Sequence, residues 1–323
     1  MKKNIAIVGC GQWGKNLIRN FYDLGALYSV CDLDDKVAQK YASQYNIEKL
    51  SFDEIKNDVN IKGVVLTVPA RLHAKMAIEA MNSGKHVFVE KPLANNIIDA
   101  KLMLETAKKN RVKLMVGHLL QYHPVFINLK KIVKSGEIGE LKYICSNRMS
   151  FGRVRSEEDV MWSFAPHDIS MILSLIKEEP NNVIAKSACL LQNKIADSAT
   201  IHMEFQSGLK SYVSVSWLHP YKELKFVVIG KSGILVFDDT KPWNEKLLLQ
   251  EYQLLSTDNS INLKKKQNKY LIVDEEEPLK RECEHFIDVV QNQILPLTDG
   301  EEGLRVLKVL SLATEAQSQF KIN

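Results

Sequence analysis

The chain has 323 residues, enough for two domains with real cores. Hydrophobic residues make up 45% and charged residues 25%, an ordinary globular composition. A net charge of +4 is too small to argue for nucleic-acid or membrane binding. No segment has the apolar length needed to span a bilayer, and Met1-Lys2-Lys3-Asn4 runs straight into a strand too short for a signal h-region. The five cysteines, Cys10, Cys31, Cys145, Cys189 and Cys283, form no C-x-x-C and are odd in number. A reduced, cytoplasmic compartment fits them better than a disulfide framework, and no metal site is expected.

The first third alternates strand and helix. Ile5-Ala6-Ile7-Val8 reads as a buried strand, and 13–24 as a helix. A strand over 26–31 and a helix over 34–45 follow, with Asp34 as the expected N-cap. A strand over 63–68 leads to an amphipathic helix over 71–83 that Gly84 stops. Strand 86–89, helix 96–110 and strand 112–116 complete the series. Near-continuous apolar strands between helices mean a parallel sheet covered on both faces.

The pattern changes after Gly117. A helix near 125–134 precedes longer strands at 141–149, 183–191, 199–205, 210–217, 224–229 and 234–237, several joined by hairpin-like turns. Lys264-Lys265-Lys266, in a polar stretch after Asp258-Asn259-Ser260, reads as a solvated loop. Helices at 278–293 and 300–317 close the chain. The expected class is α/β: an N-terminal Rossmann domain with a parallel sheet (1–119), then an α+β domain with a mostly antiparallel open sheet for substrate binding and oligomerisation (120–323).

Gly9-Cys10-Gly11-Gln12-Trp13-Gly14 is G-x-G-x-x-G between a strand and a helix. Its glycines permit a tight turn and close approach of a pyrophosphate at the helix N-terminus. Asp32, ending the second strand, suits the adenosine ribose, and its charge favours NAD over NADP. Asp34 or Asp35 can share or replace it, and all three also suit turn or capping roles. Thr67-Val68-Pro69 ends the third strand on the same rim, where backbone and hydroxyl can meet the nicotinamide half. His73, early in the next helix, is either a cofactor contact or a surface histidine.

Glu90-Lys91-Pro92 follows the strand 86–89, so Lys91 stands where cofactor and substrate meet in such folds. Pro92 fixes φ and stiffens the backbone there. With these residues in view, the chain resembles the glucose-fructose oxidoreductase/inositol dehydrogenase (Gfo/Idh/MocA) family of NAD(P)-dependent oxidoreductases. The resemblance rests on the glycine motif, Thr67-Val68-Pro69, Gly84-Lys85-His86-Val87, Glu90-Lys91-Pro92, Gly117-His118 and Pro166-His167-Asp168, and covers nearly the whole chain. It implies that Lys91 contacts cofactor and substrate, and that the Lys91–Pro92 bond is cis.

Within the family the chain looks most like the nucleotide-sugar 3-dehydrogenases, through Gln12-Trp13-Gly14-Lys15-Asn16, the run from Gly117 to Pro124 and the run from Trp162 to Asp168. Such enzymes oxidise C3 of UDP-N-acetylglucosamine or its uronic acid to a 3-keto sugar, which usually passes to an aminotransferase. The resemblance also implies a homo-dimer or homo-tetramer. The alternatives are a dehydrogenase of a free cyclitol or monosaccharide, and a non-catalytic dinucleotide-sensing regulator of the same fold.

Alcohol oxidation sends a hydride to nicotinamide and a proton to a base. The resemblance makes His167 that base, at the start of a helix expected over 169–176. Lys91 either polarises the reacting oxygen or takes the proton itself. The family commonly places an aspartate four residues before the histidine, and here that position is Ser163. A serine cannot stabilise an imidazolium by charge. Asp168 reads as a cap of the following helix. For substrate, His118, Gln121 and Tyr122 lie at the end of the first domain's last strand. Arg148, Arg153 and Arg155 end a second-domain strand and offer planar forks suited to a diphosphate.

Overall fold

The structure is a computed structural model that describes residues 3–152, 154–155, 158–257 and 260–318. Met1-Lys2, Arg153 and Asp258-Asn259 lie outside the described residues. Contacts divide the chain into two units. One is Met1–Tyr122 with Glu276–Leu307, and the other is His123–Glu275 with Lys308–Asn323.

The first unit opens β1 (Ile5–Val8), α1 (Gly14–Asp23), β2 (Leu27–Cys31), α2 (Asp35–Tyr45), β3 (Glu48–Lys49) and α3 (Phe52–Asn57). It continues β4 (Gly63–Leu66), α4 (His73–Asn82), β5 (His86–Glu90), α5 (Ile97–Asn110) and β6 (Leu114–Gly117). The six strands run β3-β2-β1-β4-β5-β6, every neighbouring pair parallel. β1, β4 and β6 are buried at every residue, as strands covered on both faces must be. Local signals set the helix starts. Asp34 caps α2 by accepting from the Lys36 N–H, and Asn96 caps α5 by accepting from the Asp99 N–H. Ser51 and Glu54 close a capping box on α3, an element the periodicity had not shown.

The second unit holds α6 (Pro124–Ser135), β7 (Leu141–Phe151), α7 (Val160–Leu175), β8 (Asn182–Ala188), β9 (Ser198–Glu204), β10 (Lys210–Ser216) and β11 (Leu218–Gly230). β12 (Gly233–Asp238), β13 (Leu247–Thr257) and β14 (Ser260–Tyr270) complete its sheet. The order is β14-β13-β12-β11-β7-β10-β9-β8. Among the described residues only β7 and β10 pair in parallel, so the sheet is mostly antiparallel as expected. Its core includes Trp217, Phe226 and Phe126, the last two edge to face at 5.6 Å.

The chain ends with α8 (Pro278–Asn292) and α9 (Gly300–Ser318). α8 returns to the first unit because its apolar stripe of Leu279, Cys283, Phe286, Ile287 and Val290 joins that core. Phe286 meets Phe88 edge to face at 5.6 Å and Phe21 at 6.2 Å. Residues 276–307 therefore pack with the first unit, whereas the sequence reading carried them with the second.

Two more elements differ from expectation. The lysine run is no loop: Lys264, Lys265 and Lys266 lie in β14, the exposed edge strand, where charge guards unpaired backbone groups against further pairing. α7 begins nine residues before Ile169, so Pro166 sits inside a helix. A proline interrupts one backbone hydrogen bond, and burial of the helix on both sides of it carries α7 through.

Candidate functional site

In the first unit the carboxyl ends of the parallel strands carry Gly9, Asp32, Thr67, Glu90 and His118. Gly9 has φ +99°, a conformation that favours glycine. A Cβ on Gly14 would lie 2.0 Å from the Gly9 carbonyl oxygen, so only glycine lets the helix start pack on the loop. Gly11 faces open space, and α1 opens with neither a capping side chain nor an acid in its first turn. That arrangement fits a pyrophosphate at the helix N-terminus. Asp32 accepts from the Cys10 N–H at 2.6 Å and the Asp34 N–H at 2.9 Å. A carboxylate offers about four acceptor sites, so capacity remains for a ribose diol.

Gln12 and Trp13 are exposed on the loop, and the Trp13 indole N–H donates to Glu90. Glu90 also accepts from the Lys91 N–H at 3.2 Å. A Cβ on Gly117 would come within 3.0 Å of the Glu90 carboxyl carbon, so Glu90 lies directly over the end of β6. Burial raises the Glu90 carboxyl to about 7, against the Trp13 hydrogen bond and the Lys91 and His118 charges, which pull it down. The Lys91–Pro92 peptide is cis, as the resemblance implied.

His73 is neither a surface residue nor aimed at open space. It is buried, with Nδ1 2.8 Å from the Pro92 carbonyl and Nε2 2.9 Å from the Val68 carbonyl. It ties the end of β4 to the proline after Lys91. Burial lowers its basicity, with the Lys91 charge in the same direction. Thr67 turns its hydroxyl to the Gly9 carbonyl, bracing the glycine loop, and Pro69 is exposed at a 3-10 turn.

His118 and Tyr122, expected at substrate, are both buried. His118 Nδ1 lies 2.5 Å from Glu302, and the Tyr122 hydroxyl lies 2.9 Å from Thr298 Oγ1. Their polar atoms thus join β6 and the turn after it to the segment leading into α9. This placement gives Tyr122 a packing role in the first core. Gln121 is buried beside them.

In the second unit His167 stands mid-helix in α7, half-buried, and Ser163 lies one turn before it, buried on the same face. Asp168 caps nothing. The helix is capped by Asp159, which accepts from the Trp162 N–H at 2.9 Å. Asp168 instead takes Arg148 Nε at 2.6 Å, Arg148 Nη2 at 3.2 Å and Ser146 Oγ at 2.6 Å. The planar guanidinium fork suits this two-point contact. Arg155, exposed, pairs with Glu158. Both described arginines offered for a diphosphate therefore already hold a carboxylate. Trp162 is half-buried and donates to Thr314.

The sequence reading missed Glu282 and Glu302. Glu302 carries no signal in the sequence beyond being an acid in the first turn of α9. Glu282 had a signal: it falls in the stripe 279, 282, 283, 286, 287, 290, where every other member is apolar.

A family model described as "Oxidoreductase family, NAD-binding Rossmann fold" matches residues 3–118. A second, "GFO/IDH/MocA C-terminal domain", matches residues 126–236. The chain is 28% identical over 245 residues to a scyllo-inositol 2-dehydrogenase (NAD(+)) of Bacillus subtilis, covering 71% of each. It is 25% identical over 318 residues to a myo-inositol 2-dehydrogenase of Thermotoga maritima, covering 94% of this chain and 92% of the relative. Among solved structures, a UDP-N-acetylglucosamine 3-dehydrogenase from Acidithiobacillus ferrooxidans superimposes with a TM-score of 0.85 at 21% identity, over 98% of each chain.

Proposed function

The chain belongs to the Gfo/Idh/MocA family of NAD-binding oxidoreductases, and from that premise we propose that it oxidises a ring carbinol of a sugar, C3 of a UDP-linked N-acetylhexosamine or its uronic acid, to a ketone. The observation that carries the dehydrogenase reading is the rim of the first unit: an open pyrophosphate loop, a ribose-type aspartate and Lys91 directly after β5. NAD, when bound, supplies the hydride acceptor. In this reading the C–H bond breaks toward the cofactor, the O–H proton goes to a base on the protein, and a C=O bond forms. Lys91 then either donates to the reacting oxygen or takes its proton, and His167 is the other candidate base. Ser163 leaves His167 without the charge an aspartate would lend at that position.

A second substrate reading is a free cyclitol. The partners of Arg148 and Arg155 favour it, because each guanidinium already spends donors and charge on a carboxylate. The inositol dehydrogenase names of the relatives point the same way.

NADH formation is measured with UDP-N-acetylglucosamine, its uronic acid, scyllo-inositol and myo-inositol, including single-turnover conditions. Turnover of a UDP-sugar supports the first reading, and turnover of an inositol alone replaces it with the second. Lys91→Ala is expected to lower kcat roughly 10²–10⁴-fold while NAD still binds. No NADH with any of the four would sink both readings.

A further inference from the structure

Glu282 is fully buried in α8, and among the described residues neither of its carboxylate oxygens meets a hydrogen-bond donor. What it faces follows from register. Phe286 touches Phe88. Glu282 lies one turn before Phe286 on the same helix face, and Glu90 lies two residues after Phe88 on the same strand face. The two steps are of similar length, about 6 Å along a helix and about 6.6 Å along a strand. They carry Glu282 toward Glu90, the residue that receives the Trp13 indole. Burial, then the Glu90 charge, push the Glu282 carboxyl well above its usual range. Among the described residues, the other ionisable groups around this pair include Lys91 after β5, His118 and Tyr122 after β6, Glu302 in α9, Glu277 at the N-cap of α8, and Cys283 and Glu284 on α8. Lys91 and His118 are the groups whose electrostatic effect lowers the Glu90 carboxyl.

The geometry points to Glu282 as a positioning residue for cofactor binding: it stands as the neutral acid behind Glu90, the two carboxyls carry one negative charge between them, and ionising both releases Glu90 from Trp13 and loosens the glycine loop. Glu282 thereby sets the alkaline limit of NAD affinity. When the second proton leaves, it goes to solvent, and two like charges then share one core. The inference rests on NAD binding by the first unit and is independent of which sugar is oxidised.

The test compares the full-length protein with Glu282→Gln, which keeps shape and neutrality but cannot ionise. NAD dissociation constants are measured by calorimetry across the pH range in which both remain folded. The native protein is expected to lose NAD affinity on the alkaline side, by up to about tenfold per pH unit for one linked proton, while Glu282→Gln holds its affinity there. The unfolding constant of Glu282→Gln should also fall relative to the native protein as pH rises, because only the native side chain must keep a proton in the fold. An alkaline limb that is equal in both proteins, or absent from the native one, overturns the proposal. If Glu282→Gln does not fold, infrared spectra of the native protein decide. A protonated-carboxyl band persisting above neutral pH supports the neutral acid, and its absence overturns it. NAD binding with this profile but no sugar turnover would leave the inference standing while removing the dehydrogenase reading.

Discussion

Two buried acids in this protein meet opposite surroundings. Asp168, in the second unit, is 1% exposed and takes a two-point contact from Arg148 and a third from Ser146. Glu282, in the first, is 0% exposed, with no donor on either oxygen among the described residues and the Glu90 charge acting on it. The first acid accepts three hydrogen bonds and anchors helix α7 to strand β7. The second is a neutral acid whose environment opposes charge. Burial alone predicts neither outcome; the partners decide.

Breaking the paired centre gives the largest expected change. Asp168→Ala leaves the mostly buried Arg148 guanidinium without its partner, and such losses destabilise by about 3–5 kcal/mol. A large fall in Tm checks this. NAD affinity, a property of the first unit, should hold wherever the variant remains folded. Ser146→Ala tests the same centre more gently. It removes one hydrogen bond to a charged acceptor and should cost about 2 kcal/mol. A Tm unchanged in Ser146→Ala would show that the guanidinium alone satisfies Asp168.

The acidic centre sharpens the comparison through pH. Burial raises Glu90 to about 7. Its folded value thus exceeds its unfolded one, so it contributes stability below the unfolded value, and that contribution is lost as pH rises through 7. NAD binding runs the other way. The ionised form is the better acceptor for the Trp13 indole on the glycine loop. NAD affinity should therefore weaken as pH falls below about 7, by up to tenfold per pH unit, and Glu90→Gln should remove this acid limb. Calorimetric titration in buffers of different ionisation heat would show the proton released on binding. A flat profile would place Glu90 outside the linkage.

Much of this was legible in the sequence, and unevenly so. The parallel sheet could be read because β1, β4, β5 and β6 are apolar runs bounded by glycine and capping residues. The cofactor rim could be read because the glycine loop and Asp32 are local signals. The Arg148–Asp168 pair could not, because its members are twenty positions apart and meet only once α7 lies on β7. Pro166 hid the first half of that helix, so Asp168 looked like a cap. His73 and Tyr122 looked like site residues by position alone, and their partners, Pro92 and Thr298, come from distant segments. Glu282 was visible as the one charge in an apolar stripe, but its meaning depended on Glu90.

The smallest effect separates geometry from surroundings. Lys210 and Glu204 pair across β10 and β9 at 2.7 Å, against 2.6 Å for Arg148 and Asp168, but both side chains are well exposed, at 62% and 41%. The pair lowers the Glu204 carboxyl and raises the Lys210 amine, each chiefly through their hydrogen bond. Water solvates either ion once its partner is gone, and salt screens what attraction remains. Lys210→Met should therefore leave Tm unchanged within error at physiological salt. If it instead lowers Tm as Asp168→Ala does, distance rather than desolvation governs ion pairs in this sheet, and the contrast between the two buried acids loses its basis.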